Sequence, residues 1–367
     1  MWKEGFVRAD GHVYGFFCYG LLAVLVVPAL LYPARRFNWV EGAALGCGWG
    51  VWLVAPVLVV AGPRISWERL CGNARMLPEL TRLPGEWEEA LATARSAAAL
   101  PEIRRVVGGR SVDVYNFRQG VALLNEFNLT PRPVFQSYSA YTPGLDGWNL
   151  RFYGSGRAPD FLLWAHDSID SRYPSIDDAS LVVALAHHYR PVLREGEYWL
   201  LEKQSSVSAA PLRRHLLLDR TVRLGEEVAA PFHHGDAVWF QARLELTKLG
   251  RLRALAYKAP LIQLTVTDDQ GGRTTWRVLP RIAVAGFLLD PLLATGDDLV
   301  AFLEGERRVG VRALCLDCPA DQAEFWGSLQ ISLFALPDLP LRTVARAPAA
   351  PAAAGAPVSP PTAAQAL

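Results

Sequence analysis

Two stretches without a single Asp, Glu, Lys or Arg, residues 11–34 and 43–63, constrain this chain more than any other feature. Each is close to the roughly 20 apolar residues that an α-helix needs to cross about 30 Å of hydrocarbon. The connection over residues 33–42 is short, so the two predicted spans, at about 13–33 and 43–62, form an antiparallel transmembrane hairpin. Pro28 and Pro56 fall inside the spans, where membrane helices tolerate them. Tyr14, Tyr32, Trp39 and Trp67 stand near the run ends as interfacial anchors. Transmembrane helices are expected rather than a cleavable signal, because the first run exceeds a signal core, ends in Arg35-Arg36 and is followed by a second run. The basic residues do not fix orientation: Arg35 and Arg36 lie in the connection, Lys3, Arg8, Arg64, Arg69 and Arg75 on the opposite side.

Charge sets the next limit. A net charge of +1 over 367 residues, with Arg scattered and Lys scarce, excludes the concentrated basic face that nucleic acid requires. Five cysteines make no disulfide framework in a chain of this length. Cys18 and Cys47 lie in the apolar runs, Cys71 is isolated, and only Cys315 and Cys318 are close enough to close a small disulfide, in an extracytoplasmic setting. A metal site there lacks two further ligands.

Beyond a juxtamembrane segment (1–12) and the hairpin (13–62), the pattern predicts an α/β soluble domain over 63–204. Residues 68–100 read as helix, with Glu86, Glu88 and Glu89 near a helix start. Strand signals at 111–115, 133–136 and 160–165 alternate with helix signals at 119–127 and 177–188, and two short strands follow within 189–203 around a turn at Arg194-Glu195-Gly196-Glu197. Such alternation implies a largely parallel sheet. From about residue 205 the helical signal fades, and strand-like runs at 238–246, 261–267, 274–279, 309–316 and 328–335 predict a jelly-roll-like β-sandwich over 205–337. The Ala/Pro-rich segment 338–367 reads as a disordered tail. The expected fold class is therefore membrane-anchored α+β: a two-helix transmembrane hairpin, a small α/β domain, then a β-sandwich.

Three clusters carry candidate chemistry. Residues 132–143 place Gln136, Ser137, Tyr138, Ser139 and Tyr141 after a predicted strand, where α/β folds put ligand loops. Aromatic faces interleaved with amide and hydroxyl groups suit a sugar; the competing reading is a loop whose tyrosines pack locally. The second cluster, His166 to Arg172 followed by Asp177 and Asp178, also follows a strand. Asp167 and Asp170 are the weak catalytic candidates, as acid and base or as oxygen ligands for a divalent cation. Their spacing matches no calcium or zinc signature, so no metal or cofactor is expected. The blander reading pairs Asp170 with Arg172 and uses Asp177 or Asp178 to cap the next helix. The third cluster, Arg8, Asp10 and His12, stands just before the first span, where ionisable groups meet headgroups or a phosphate-bearing lipid; the competing reading is an ordinary polar flank that stops the helix from slipping inward. GxSxG, Walker A, HExxH and GxGxxG motifs are absent, which removes the commonest hydrolase and nucleotide-binding readings.

Three stretches together, KEGFVRADGH (3–12), RPVFQSYSAYTP (132–143) and the series APDFLLW, RYPSIDD, YRPVL and YWLLEK between 158 and 203, resemble the C-terminal portion of uncharacterised bacterial multi-span membrane proteins. Those proteins look like lipid-linked-sugar glycosyltransferases bearing an extracytoplasmic α/β domain. The resemblance covers residues 1–203 and implies an extracytoplasmic large domain at the inner (plasma) membrane. Such enzymes carry an acidic catalytic residue in an early extracytoplasmic loop, which this chain lacks. The expectation is thus a protein that binds or handles a glycan or lipid-linked sugar in cell-envelope biogenesis, with Gln136, Tyr138, Tyr141 and Arg172 on the sugar and Arg8, Asp10 and His12 on phosphate. The alternatives are a structural subunit docking with a partner membrane subunit, through the glycines at 42, 46, 48 and 50, or a glycosyltransferase-like enzyme fragment.

Overall fold

The computed structural model describes residues 71–72, 83–204, 213–230, 235–256 and 259–344. In chain order the first elements are α1 (Leu83–Ala97), α2 (Pro101–Val107), β1 (Ser111–Val114), α3 (Gly120–Leu124), β2 (Asn128–Leu129), α4 (Pro143–Tyr153), β3 (Phe161–Ala165), α5 (Ala179–His188), β4 (Tyr189–Glu195) and β5 (Tyr198–Lys203). There follow β6 (His215–Val222), β7 (Glu227–Ala229), β8 (Asp236–Leu246), α6 (Lys248–Ala256), β9 (Gln263–Asp268) and β10 (Arg273–Arg277). The last are α7 (Pro280–Ala283), β11 (Phe287–Asp290), α8 (Gly296–Leu303), β12 (Glu306–Arg307), β13 (Val311–Asp317), β14 (Trp326–Pro340) and β15 (Arg342–Thr343). Two compact units result: residues 1–98, 246–260 and 324–326 form one, and 99–245, 261–323 and 327–367 the other.

In the larger unit, one five-stranded sheet has the order β2-β1-β3-β5-β4. Strands β2, β1 and β3 run parallel, whereas β5 returns antiparallel to both β3 and β4. The reversal is local: Gly196, at φ 59°, makes the turn that folds β4 back onto β5 as a hairpin. Period-two alternation then sorts the two faces. Val112 and Val114 of β1 and Phe161 and Leu163 of β3 enter one apolar cluster with Ile103, Val107 and Val121. Asp113, Leu162 and Trp164 project to the opposite face, and all three are fully buried or nearly so. Helix α2 begins with Pro101, and the Glu195 carboxylate of β4 accepts from the backbone N–H groups of Glu102 (3.2 Å) and Ile103 (2.8 Å).

Two four-stranded sheets, β10-β9-β13-β7 and β11-β8-β14-β6, complete this unit with the two-stranded pair β12-β15. The pairings of β9, β10, β13 and β7 are all antiparallel. Asp268 closes the β9–β10 hairpin by accepting from the N–H groups of Gln270 (3.0 Å) and Gly272 (2.6 Å). Residues 172–175 tie the five-stranded layer to both four-stranded sheets. The Tyr173 N–H reaches Arg277 O on β10, its hydroxyl donates to Leu289 O on β11 (2.9 Å), and Ser175 donates to Leu288 O (2.5 Å).

The expected membrane-anchored fold class is corrected by these findings. The described chain is α+β with several mostly antiparallel sheets, and no helix among the described residues is long and apolar enough to cross a membrane. The longest, α1, has 15 residues, about 22 Å of rise, and carries Glu86, Glu88, Glu89 and Arg95. The segments at 13–33 and 43–62, and the residues Arg8, Asp10 and His12, lie outside the described residues. The predicted largely parallel sheet is mixed, because a tight hairpin brings β5 back beside β3. The strand predicted from Pro133 is an irregular segment ending in a 3-10 turn, Ser137–Ser139. Helices α6 and α8 stand where only strands were expected, and β14 runs to Pro340, past the predicted start of the tail.

Candidate functional site

The carboxyl ends of the parallel strands β1 and β3 are where an open α/β sheet presents its loops to ligands, and here both loops rest on one buried ionic network. Asp113, on the polar side of β1's alternation, accepts from Arg132 Nη1 (2.9 Å) and from the Tyr153 hydroxyl of α4 (2.7 Å). Arg132 Nε donates to Asp178 Oδ2 (3.0 Å), and its other nitrogens reach Val114 O (2.9 Å) and Ser137 Oγ (2.6 Å). Asn149 completes the set, donating to Asp178 Oδ1 (2.6 Å) and bracing both backbone groups of Val134. The Arg132, Asp113 and Asp178 side chains have no solvent exposure. Burial alone lowers the Arg132 affinity for its proton, but the facing carboxylates Asp113 and Asp178 outweigh it and raise its pKa. Burial pushes the Asp178 carboxyl up, with Arg132 opposing. Ion pairs so dry exist only where every partner is supplied, and this one fixes the loop at 132–139 to the sheet.

On that base sits the aromatic surface. Ser137 is buried, its N–H bonded to Asn116 O (3.0 Å), while Gln136 and Tyr138 on either side are half-buried. The Tyr138 hydroxyl donates to Gln136 Oε1 (2.6 Å). Beneath, Arg172 is 4% exposed, donates from Nη1 to Asp177 Oδ1 (2.8 Å) and Tyr138 O (3.1 Å), and holds its guanidinium 5.9 Å from the ring centres of both Tyr138 and Tyr141. Tyr141 is 43% exposed and Phe135 48%. Phe117 meets Tyr138 edge-on at 6.1 Å. The structure thus brings Gln136, Tyr138, Tyr141 and Arg172 into one cluster, with Tyr141 exposed, Gln136 and Tyr138 half-buried and a cation behind the two rings.

Asp167 and Asp170 are each engaged by an arginine. Arg118 binds Asp167 Oδ2 through Nε (3.0 Å) and Nη2 (2.8 Å) and also reaches Glu197 at 2.6 Å. Asp170, 40% exposed, faces Arg277 at 3.5 Å. The expected Asp170–Arg172 pair is therefore replaced by Arg172–Asp177 and Asp170–Arg277. Nor does the Asp178 side chain cap α5, for its oxygens are spent on Arg132 and Asn149. His166 lies under the same edge, where burial lowers its pKa against the opposing pull of Asp298 and Asp167. Among the described residues no group of three or more His, Cys, Asp or Glu side chains is arranged to hold a metal ion. Cys315 and Cys318 are free thiols, not a disulfide, with Cys315 buried in β13.

Two further features mark this edge. Asn116 (φ 73°), Asp170 (φ 55°), Ser171 (φ 53°) and Asp178 (φ 49°) all adopt left-handed backbone in its loops. Asn and Asp tolerate that region at a modest cost; Ser171 does so less readily. The buried atoms Asn116 Oδ1, Trp164 Nε1 and Arg172 Nε have no hydrogen-bond partner, and such atoms are rare in a completed fold. The sequence reading overlooked Arg132 and Asp113, although a carboxylate inside the apolar run Val112-Asp113-Val114 is itself a signal of a buried partner. No protein-family model, curated protein or solved structure matches this chain.

Proposed function

We propose that this protein binds a glycan, without transforming it, at the carboxyl edge of its five-stranded sheet. The observation that carries the reading is the half-exposed Tyr138–Tyr141 pair over Arg172, with Gln136 tied to the Tyr138 hydroxyl. Sugar rings offer C–H faces to aromatic rings and hydroxyls to amide and phenol groups, and this surface supplies both. Its charges are already balanced, Arg118 by Asp167, Arg172 by Asp177 and Arg277 by Asp170, so a neutral oligosaccharide fits better than a charged one. The same pairing weighs against acid–base catalysis, since the Asp167 and Asp170 carboxylates are already engaged by Arg118 and Arg277 rather than aimed at a substrate. The patch coincides with the RPVFQSYSAYTP stretch that carries the resemblance to lipid-linked-sugar enzymes.

The test is calorimetric titration of the full chain with chitotetraose, cellotetraose and maltotetraose. Binding of at least one is expected, with Tyr141→Ala weakening it about tenfold, or ~1.4 kcal/mol, and leaving thermal stability unchanged. Absence of binding to all three, or equal binding by the variant, overturns the proposal.

A further inference from the structure

Helix α6 (Lys248–Ala256) is held to its unit by its smallest and most polar residues, and its leucines face solvent. Gly250 is buried so closely against residue 325 that an added Cβ would stand 3.1 and 3.2 Å from the Phe325 carbonyl carbon and Cα, and nearer still to its carbonyl oxygen. Thr247 fastens the start of the helix, its N–H bonded to Phe325 O (3.0 Å) and its hydroxyl to Glu324 O (3.0 Å), while accepting from Gly250 N–H (3.1 Å). The Arg253 guanidinium lies 4.7 Å over the Phe325 ring. Opposite these contacts Leu249, Leu252 and Leu255 are 48%, 60% and 71% exposed. At about 100° per residue their spacing makes a stripe roughly 120° wide, the width of a face that ordinarily packs against something.

Charge identifies what covers it. Lys248, exposed on the leucine face at the first turn, can extend its stem along the stripe to carry its charge past it, Arg251 is exposed at the stripe's edge, and residues 247–260 contain no Asp or Glu. A second copy docked through the same face would bring like charges together. Helix α1 also exposes apolar residues, Trp87 and Leu91, but among Glu86, Glu88 and Glu89, so it offers no comparable cationic face. Leucines on one side with flanking Lys and Arg are the pattern of a helix lying in a lipid–water interface. We infer that α6 seats on an anionic lipid surface, with its three leucines at the acyl boundary and Lys248 and Arg251 on headgroup phosphates. This inference is independent of the glycan reading.

The experiment places an environment-sensitive fluorescent amino acid at position 255 of the full chain and adds vesicles of phosphatidylcholine, with or without 30% phosphatidylglycerol (about the anionic content that gives a strong surface potential). A blue-shifted emission, quenched by brominated acyl chains, is expected with the anionic vesicles. Lys248→Gln combined with Arg251→Gln raises the lipid concentration for half-maximal shift about 30-fold, each cation contributing roughly fivefold. No shift with anionic vesicles, an equal shift with neutral ones, or a shift caused by protein concentration alone, which would mark a second copy, overturns the inference.

Discussion

Replacing Arg132 by Met isolates the network on which the candidate site rests. Methionine fills much of the same volume but supplies none of the five hydrogen bonds that Arg132 gives to Asp113, Asp178, Val114 O, Asn116 O and Ser137. Two carboxylates without solvent exposure would then share one cavity with no cation. Breaking a buried pair from one side costs about 3–5 kcal/mol, a large part of a typical stability of about 5–15 kcal/mol. With a urea slope of about 2–3 kcal/mol per M, the unfolding midpoint at pH 7 should fall by roughly 1–2.5 M. The deficit should shrink in acid, because protonating the stranded carboxylates removes the buried charge. Near-ultraviolet circular dichroism reads the transition directly, since Tyr115 stacks on Trp164 at 3.7 Å and donates to Asp177 O at this edge. Arg104→Met, which loses an exposed pair with Glu126, serves as the control and should stay within about 1 kcal/mol. An Arg132→Met midpoint equal to wild type at pH 7 would refute the claim that this network holds the loop.

Two other variants test the packing. Burial raises the Asp146 carboxyl from 3.8 to about 6, with Ser180 opposing through its side chain and its N–H. Because the folded state holds this proton more tightly than the unfolded one, the contribution of Asp146 to stability is fullest below about pH 4 and falls by roughly 3 kcal/mol as pH rises through about 6. Asp146→Asn should remove that decline, matching wild type at pH 4 and exceeding it at pH 8, as read by thermal melts across pH; a variant less stable at pH 8 would count against the assignment. Gly286, at φ 93°, lies so close to Trp239 Nε1, Phe240 O and the Gln241 side chain that a Cβ has no room. Gly286→Ala should therefore cost about 2–5 kcal/mol in chemical denaturation, and a neutral result would show that the β8–β11 edge is looser than described.

How far the sequence revealed this molecule depends on the kind of signal. Alternating or continuous apolar runs located β1, β3, β8 and β13, because burial on one or both faces writes a pattern into consecutive residues. The turn at Arg194–Glu197 between β4 and β5 was legible too, but not that the hairpin sets β5 antiparallel beside β3, because that pairing joins strands more than thirty residues apart. Helices α4 and α8 were missed although Thr142-Pro143 and Thr295 open them; each threonine side chain accepts from the N–H three residues on. Those two caps were legible. At the site, the aromatic loop was visible as an unusual composition, but its support was not: Arg132 meets Asp178 across 46 residues, and Arg172 meets Asp177 rather than Asp170. Charge partners at such separations are decided by tertiary geometry.

The proposed glycan site remains to be put to a direct test. A tetrasaccharide carrying a photoactivatable diazirine, cross-linked to the full chain and mapped by mass spectrometry, tests it most directly. Labels are expected on residues 135–141 and 170–172, competed away by unmodified sugar and reduced in Tyr141→Ala. A competing concavity exists: the hollow of about 390 Å³ lined by Asp236, Glu304, Gly305 and Arg342. Labels confined to that hollow, or labels that unmodified sugar does not displace, would contradict the account.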